Sequence, residues 1–409
     1  MSNCRFCGDQ LKHTFTNLGM SPVANSNIRP DKLHDMEPFY PLHAYVCQSC
    51  FLVQLEEFQS PSEIFGDYDY FSSFSASWLK HAEIYVNDMV ERYEYNGESQ
   101  IIEIASNDGY LLKNFVNQGI PVLGIEPAKN VAKVAQDAGI PTISKFFGVQ
   151  TAKEIEAEGK LADLVIGNNV LAHVPDLNDF VSGLKIILKP DGIITMEFPH
   201  LERLMEENQF DTIYHEHFSY FSFYAVEKVF AHHGLRIFNV DELSTHGGSL
   251  RIYACHQENN QRPNEVVIDQ LREREINGGI NVLDTYTRFE EQVRETKRRL
   301  LEFLITAKRD GKSIVGYGAP AKGNTLLNYC GIGCDFIDYT VDLSPHKQDL
   351  YLPGTHIPIH APEKINETKP DYVLILPWNL KDEIIQQMAD IRSWGGQFIV
   401  PIPEVAICK

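Results

Sequence analysis

The sequence predicts an α/β protein in three parts, and three observations carry that prediction. Two Cys-x-x-Cys pairs, Cys4/Cys7 and Cys47/Cys50, stand near the start. In the middle, short apolar runs of strand length alternate with helical spacing, the pattern of a parallel sheet. A second alternation of the same kind fills the C-terminal end. The expected boundaries are 1–70, 71–280 and 281–409. A chain of 409 residues has room for several cores, and 43% hydrophobic with 22% charged residues is ordinary for a globular protein. The formal net charge of −20 is spread along the chain, which argues against a nucleic acid or an anionic membrane as partner. No apolar run is long enough to span a bilayer, and the polar start does not read as a signal peptide. The expected location is therefore the cytoplasm, and the expected state a monomer.

Paired knuckles of the Cys-x-x-Cys kind close a tetrahedral thiolate site, for which zinc is the expected metal. Gly8 follows Cys7, and Cys50 leads into the strand-like run Phe51-Leu-Val-Gln-Leu55. Four protein ligands (Cys4, Cys7, Cys47 and Cys50) leave no open coordination position, so this metal should hold the fold and take no part in chemistry. A reducing compartment disfavours the disulfide reading. Cys255, Cys330, Cys334 and Cys408 carry no metal spacing and read as core or surface thiols.

From residue 99 the pattern becomes strand, turn, helix. The apolar run Gln100–Ala105 leads into Ser106-Asn-Asp-Gly109, and Pro121–Ile125 ends in Glu126-Pro127. The runs Ala162–Gly167 and Gly192–Glu197 complete a doubly wound, Rossmann-like parallel sheet, whose ligand belongs at the carboxyl ends of its strands. Glu126 closes the second strand there, within reach of ribose hydroxyls. Dinucleotide proteins need Gly-x-Gly-x-x-Gly in the first turn so that a pyrophosphate can touch the backbone. Only Gly109 is present here. One glycine with an acidic start suits a nucleoside without a pyrophosphate, such as S-adenosylmethionine, with Glu103 and Asp108 facing its cationic end. A sheet that binds nothing at this turn is the plainer alternative.

The segment Tyr214-His-Glu-His217 places four proton-moving groups among the apolar flanks Phe210, Ile213, Phe218, Tyr220 and Phe221. A partly dried carboxylate beside imidazoles is how enzymes set a base near working pH. Two surface histidines in a turn are the bland reading. The spacing is not His-Glu-x-x-His, which excludes a zincin helix.

Asn281–Arg309 reads as one amphipathic helix, with Tyr286, Phe289, Val293, Leu300 and Leu304 on a face. Lys312–Gly318 is then a strand running into a glycine turn, and Ala321–Asn328 starts a helix whose N–H groups and Lys322 could cradle a phosphate. Val341-Asp342 ends a further strand, an arrangement that alone also suits a nicotinamide dehydrogenase. Asp371–Leu376 ends in Pro377-Trp-Asn379 on the same side. These strands make a second Rossmann-like unit.

Taken in order, several motifs resemble one family. They are the two knuckles, Asp67-Tyr-Asp-Tyr-Phe-Ser-Ser-Phe-Ser75, Glu103-Ile-Ala-Ser-Asn-Asp-Gly109, Gly167-Asn-Asn-Val-Leu-Ala-His173 and Glu197-Phe-Pro199. Phe210–Ser219, His246-Gly-Gly-Ser-Leu-Arg251, Gly316–Thr325 and Trp378-Asn-Leu380 follow. Over nearly its full length the chain resembles the sugar C-methyltransferases that act on nucleotide-linked 4-keto-6-deoxyhexoses. Ala105 departs from the glycine that such turns usually carry.

That resemblance implies a class I methyltransferase domain, S-adenosylmethionine as cofactor, and a dTDP- or GDP-linked 4-keto sugar as substrate. It implies methylation of carbon 3 through an enolate. By position, His217 is the base and Glu216 orients it or tunes its basicity. Tyr214, with His173 and Tyr68 lining the pocket, would donate hydrogen bonds to the oxyanion. Ala105, Asn107, Asp108, Gly109, Asn168 and Asn169 join Glu103 and Glu126 as cofactor contacts. Lys322, Asn324, Asp342 and Asn379 would hold the nucleotide diphosphate. His215 is expected to point away along an extended backbone. The rivals are a non-catalytic nucleotide-sugar-binding scaffold and an O- or N-methyltransferase.

Overall fold

The computed structural model describes residues 2–60 and 71–408. Its frame is three β-sheets. The N-terminal sheet takes β1 (His13–Ser21), β2 (Tyr40–Val46) and β3 (Val53–Leu55), all antiparallel. The two cysteine knuckles share one geometry: the Gly8 N–H donates to the Cys4 carbonyl and the Phe51 N–H to the Cys47 carbonyl, each at 2.9 Å. Both closing residues take left-handed φ, +77° at Gly8 and +64° at Phe51.

The central sheet begins with β4 (Ile101–Ile104), β5 (Val122–Ile125), β6 (Thr142–Ile143), β7 (Ala162–Asn168) and β8 (Leu188–Pro199). These five are parallel, in the order β6-β5-β4-β7-β8. Every residue of β4 and β5 is buried, as helices on both faces of a parallel sheet require. The chain builds outward from β4 in one direction and then from β7 in the other, so a crevice opens between their carboxyl ends. β9 (Ser219–Tyr220) leaves this sheet and pairs antiparallel with β3, Val53 opposite Tyr220. β10 (Leu235–Leu243) and β11 (Ser249–His256) then return as an antiparallel hairpin on β8. The sheet is thus mixed rather than all parallel. The reversal is made in the short Thr245–Gly248 connection, where His246, Gly247 and Gly248 have φ of +55°, +91° and +117°.

The long helix predicted after 281 is divided into Leu283–Thr287 and Phe289–Arg309. The last sheet takes β12 (Ile314–Tyr317), β13 (Thr340–Val341), β14 (Ile359–His360), β15 (Tyr372–Ile375), β16 (Gln397–Val400) and β17 (Ala406–Cys408). Its order is β14-β13-β12-β15-β16-β17, parallel apart from β17. One apolar core joins it to the N-terminal sheet, with Phe15 stacked on Phe289 at 4.6 Å. No helix among the described residues is long and apolar enough to cross a membrane.

The turn after β4 explains its glycine and marks a strained position. Gly109 has φ +78°, and a Cβ there would come within 2.2 Å of Ile140 Cδ1. Ala105 also lies in the left-handed region, at φ +55°, with its N–H on the Ile125 carbonyl at 2.8 Å. A non-glycine residue there costs roughly 1–2 kcal/mol. Ala105→Gly is therefore expected to raise stability by up to about 1 kcal/mol, glycine's greater freedom when unfolded taking back part of the gain. Denaturant unfolding of the two proteins checks this, and an unchanged or lowered midpoint would show that the turn is unstrained.

Candidate active site

The four knuckle sulfurs lie within 4.8 Å of one another, with Cys4 Sγ to Cys50 Sγ and Cys7 Sγ to Cys47 Sγ both 3.5 Å. A tetrahedron with metal–sulfur bonds of about 2.3 Å needs sulfurs about 3.8 Å apart, so the set fits zinc. Gln54 Nε2 donates to Cys4 Sγ at 3.2 Å, the kind of outer contact that orients a ligand. The knuckle also reaches the central domain: Arg5 Nη1 donates to the Pro175 carbonyl at 2.8 Å, and Asn178 Nδ2 to the Phe6 carbonyl at 2.9 Å. The loop carrying His173 is held from this side.

A cavity of about 760 Å³ opens at the carboxyl ends of the central strands and is bounded by all three parts of the chain. On one side stand Ala105, Asn107, Glu126, Asn168 and Asn169, as the sequence predicted, joined by Trp78 and Tyr110. Glu126 ends β5, and its carboxylate accepts the Asn107 N–H at 3.0 Å and the Ala128 N–H at 2.8 Å. Burial raises its pKa, and those two bonds hold the rise back. Asn169 takes φ +54°, with its N–H on the Glu197 carbonyl at 2.7 Å. Asn169 Oδ1 is buried without a hydrogen-bond partner among the described residues. Glu103, Asp108 and Gly109 do not line the cavity. Burial, then Glu126 and Asp108, push the Glu103 pKa well up, and the Asp108 carboxylate accepts the Ser73 N–H at 3.2 Å. Three carboxyls so close suit a nucleoside ligand with a cationic end.

Tyr214, Glu216 and His217 line the opposite side together with His173. Here the extended backbone expected from the sequence is corrected. The His217 N–H donates to the Tyr214 carbonyl at 2.9 Å, so 214–217 is a tight turn that sends Tyr214, Glu216 and His217 into one space. His215 does point away, with Nε2 at 3.2 Å from the Pro41 carbonyl. His217 is held by a residue the sequence reading passed over: its Nδ1 donates to the Thr212 carbonyl at 2.9 Å. Glu216 instead accepts from Asn25 Nδ2 at 2.7 Å, with no bond between its carboxylate and His217. The His173 ring lies 4.7 Å and the Tyr214 ring 4.0 Å from His217. His173 Nδ1 donates to the Glu216 carbonyl at 2.8 Å. Tyr68 lies outside the described residues.

Burial sets the electrostatics here. It pushes His173 down to about 4, and burial followed by the neighbouring His173 holds His217 well below the usual imidazole range. Glu216 is pushed up to about 7 by burial, against the Asn25 bond. The histidines are neutral at pH 7, and a carbonyl on Nδ1 leaves the lone pair of each on Nε2. In that state Nε2 of His173 is an acceptor, and the ring lines the cavity.

From the C-terminal part, Lys322 and Lys347 reach the cavity wall. Lys322 Nζ sits over the Trp378 ring at 4.4 Å and donates to Asn379 Oδ1 at 2.8 Å. The other predicted substrate residues are used by the fold itself. Asn324 is buried and donates to the Ala24 carbonyl, and Asp342 accepts the Ala319 and Ser344 N–H groups at 2.8 Å. Asn379 lines a separate groove. Sequence reasoning missed Asn25, Trp78, Thr212, His246 and Lys347. For His246 the signal was the Gly247-Gly248 pair after it, which marks a chain reversal at the cavity rim.

Comparison with known proteins agrees with this geometry. A model described as "Putative zinc binding domain" matches residues 4–65, a methyltransferase domain matches 79–240, and a C-methyltransferase C-terminal domain matches 244–403. The C-methyltransferase NovU of Streptomyces niveus is 37% identical over 404 residues, 99% of this chain and 96% of that protein. The chain belongs to the C-methyltransferases. A ubiquinone biosynthesis O-methyltransferase of Bartonella bacilliformis is 28% identical over 23% of this chain and 39% of its own. Among solved structures, the magnesium protoporphyrin IX methyltransferase of Synechocystis PCC 6803 with bound SAM is 15% identical, with a TM-score of 0.35, over 48% of this chain and 88% of that one. Family membership rests on the first relative and the three models. This C-methyltransferase uses S-adenosylmethionine as its methyl donor, and its cysteine knuckles form a zinc site.

Two outcomes follow from the site. Freshly purified C-methyltransferase should carry one zinc per chain, and Cys47→Ser should lower both zinc content and thermal stability. Elemental analysis finding no zinc in protein never exposed to chelator would refute this. Glu126→Ala should weaken S-adenosylmethionine binding by about 1.5–3 kcal/mol for each charge-assisted hydrogen bond lost. Unchanged affinity in calorimetry would remove Glu126 from the site.

Proposed function

We propose that this C-methyltransferase methylates carbon 3 of a nucleotide-linked 4-keto-6-deoxy (or dideoxy) hexose in branched deoxysugar biosynthesis. The observation that carries the reading is His217. Its ring is neutral, oriented by the Thr212 carbonyl, and set in a cavity that also holds Tyr214 and the cofactor side. Methylation of oxygen or nitrogen deprotonates a hydroxyl or uses a heteroatom that is already nucleophilic and needs no dedicated carbon-acid base; a carbon acid does. The ordered motifs across the chain, and the two lysines that the C-terminal part brings to the cavity, favour an anionic sugar nucleotide.

In this reading the 4-keto group acidifies the hydrogen on carbon 3. His217 Nε2 takes that proton, and the electron pair left on carbon delocalises onto the carbonyl oxygen as an enolate. Tyr214 donates a hydrogen bond to that oxygen, stabilisation that often supplies the largest share of rate. Glu216, near 7, carries a proton part of the time and can donate in the same way. Bound S-adenosylmethionine supplies an electrophilic methyl group. Glu126, Asn107, Asn168 and Asn169 would hold it, and Lys322 with Lys347 would meet the diphosphate of the substrate.

The test is incubation with S-adenosylmethionine and a panel of nucleotide-linked 4-keto sugars, followed by mass spectrometry for a gain of one methyl. A scaffold gives none. Exchange of the carbon-3 hydrogen with solvent deuterium, without methyl donor, separates carbon from heteroatom methylation. His217→Asn should lower turnover and exchange together by about 10²–10⁴-fold while cofactor affinity is kept. If His217→Asn retains both and Tyr214→Phe abolishes both, a tyrosinate is the base.

A further inference from the structure

One buried acid is unused by the mechanism above. Asp211 is 0% exposed, and its Oδ2 accepts from Trp378 Nε1 at 2.7 Å while Oδ1 has no partner among the described residues. It stands in the short turn Phe210–Thr212, which belongs to the central part of the chain, whereas Trp378 follows β15 of the C-terminal sheet. The same turn is gripped twice more from that side. Thr325 Oγ1 donates to the Ile213 carbonyl at 3.1 Å, and the Phe210 ring packs edge-on against Tyr329 at 5.5 Å. Inside the turn, the Ile213 N–H closes on the Phe210 carbonyl at 3.0 Å. The residue between the two outside hydrogen bonds is Thr212, whose carbonyl holds His217 Nδ1.

We propose that Asp211 is a positioning residue through which the C-terminal domain sets His217: Trp378 and Thr325 pin the turn on either side of Thr212, and the Thr212 carbonyl then fixes the imidazole in one tautomer and orientation. Carboxylate–indole and hydroxyl–carbonyl bonds in a dry interface are directional, so they fix the carbonyl's direction as well as its distance. Such a carbonyl is the group that decides which imidazole nitrogen keeps the proton. The indole that grips Asp211 also carries Lys322 on its face, so the base and the cation that meets the substrate are supported by one side chain. The inference rests on His217 being the base of the proposed reaction.

Trp378→Phe removes the N–H and keeps a ring under Lys322, and Thr325→Val removes the hydroxyl at nearly constant shape. In the full-length protein, nitrogen-15 NMR of the histidines, with His217 assigned by its loss in His217→Asn, reads the tautomer directly. Both variants should convert His217 from a single Nδ1–H form to a mixture. Carbon-3 exchange at saturating substrate should fall by about 10–100-fold, the scale of a reacting group displaced by an ångström. S-adenosylmethionine affinity should stay unchanged. A His217 signal and exchange rate like those of the unaltered protein in both variants would overturn the proposal and leave Asp211 a packing contact. If Trp378→Phe does not fold, Thr325→Val decides alone. Should His217→Asn keep full exchange, the base assignment fails, while the tautomer signals still decide whether Asp211 positions the ring.

Discussion

Removing ionisable side chains from water is the constraint on which the rest of this site depends. A charge moved into a poorly polarisable interior loses hydration that few neighbours can replace, and the group answers by staying neutral. Around the cavity this produces neutral imidazoles at His173 and His217 and a carboxyl at Glu216 that holds its proton up to about 7. A depressed imidazole is always ready to accept a proton but is a weak base. The weakness is offset where the reaction creates an anion beside it, because the desolvation that disfavours a lone imidazolium also strengthens its attraction to a neighbouring enolate oxygen. In the proposed reaction burial would therefore favour proton transfer to His217 from the acidified carbon, and oppose it otherwise.

His217 can serve as the proposed base only if its ring points the right way, and all three sheets bear on its orientation. The turn at 214–217 lies just before β9, which is anchored in the N-terminal sheet beside β3. The residues before the turn are gripped by Trp378 and Thr325. The zinc knuckle steadies the loop after His173 through Arg5 and Asn178. No single part of the chain could build this cavity, and one apolar core running from Phe15 to the C-terminal strands keeps the outer parts in place.

The sequence disclosed those features whose physics is local. Cysteine spacing announced the zinc site, apolar runs of strand length announced β4, β5, β7 and β12, and the lone Gly109 announced a turn without room for a pyrophosphate grip. It also flagged Ala105, which takes a left-handed φ of +55°. What stayed hidden depends on contacts between distant residues. Nothing near position 217 announces that Thr212 holds the imidazole, or that Asn25, 191 residues from Glu216, donates to its carboxylate. The four consecutive polar residues at 214–217 read as an extended segment because the bond that makes the turn is between backbone atoms. Asn324 and Asp342 read as ligand groups, but the fold spends them on its own loop amides and carbonyls.

The charge distribution adds the last step. A chain with net charge −20 repels anions at long range, so an anionic substrate must be drawn by groups placed at close quarters. The cavity supplies such groups. Glu126 lines it with Glu103 and Asp108 close by, and the C-terminal part contributes Lys322 and Lys347, while Lys145, Asp176, Asp179 and Glu216 also reach the lining. Such an arrangement suits two ligands of opposite sign, one with a cationic end and one with an anionic end. Because Glu103, Asp108 and Glu126 are buried and Lys322 and Lys347 only half-buried, those acids are shielded from the salt that screens these lysines. Binding at the lysine side should accordingly weaken with ionic strength more steeply than binding at the acid side. That asymmetry would fit the proposed reaction, in which a small cationic cofactor is held deeply and a large anionic sugar nucleotide comes from solvent.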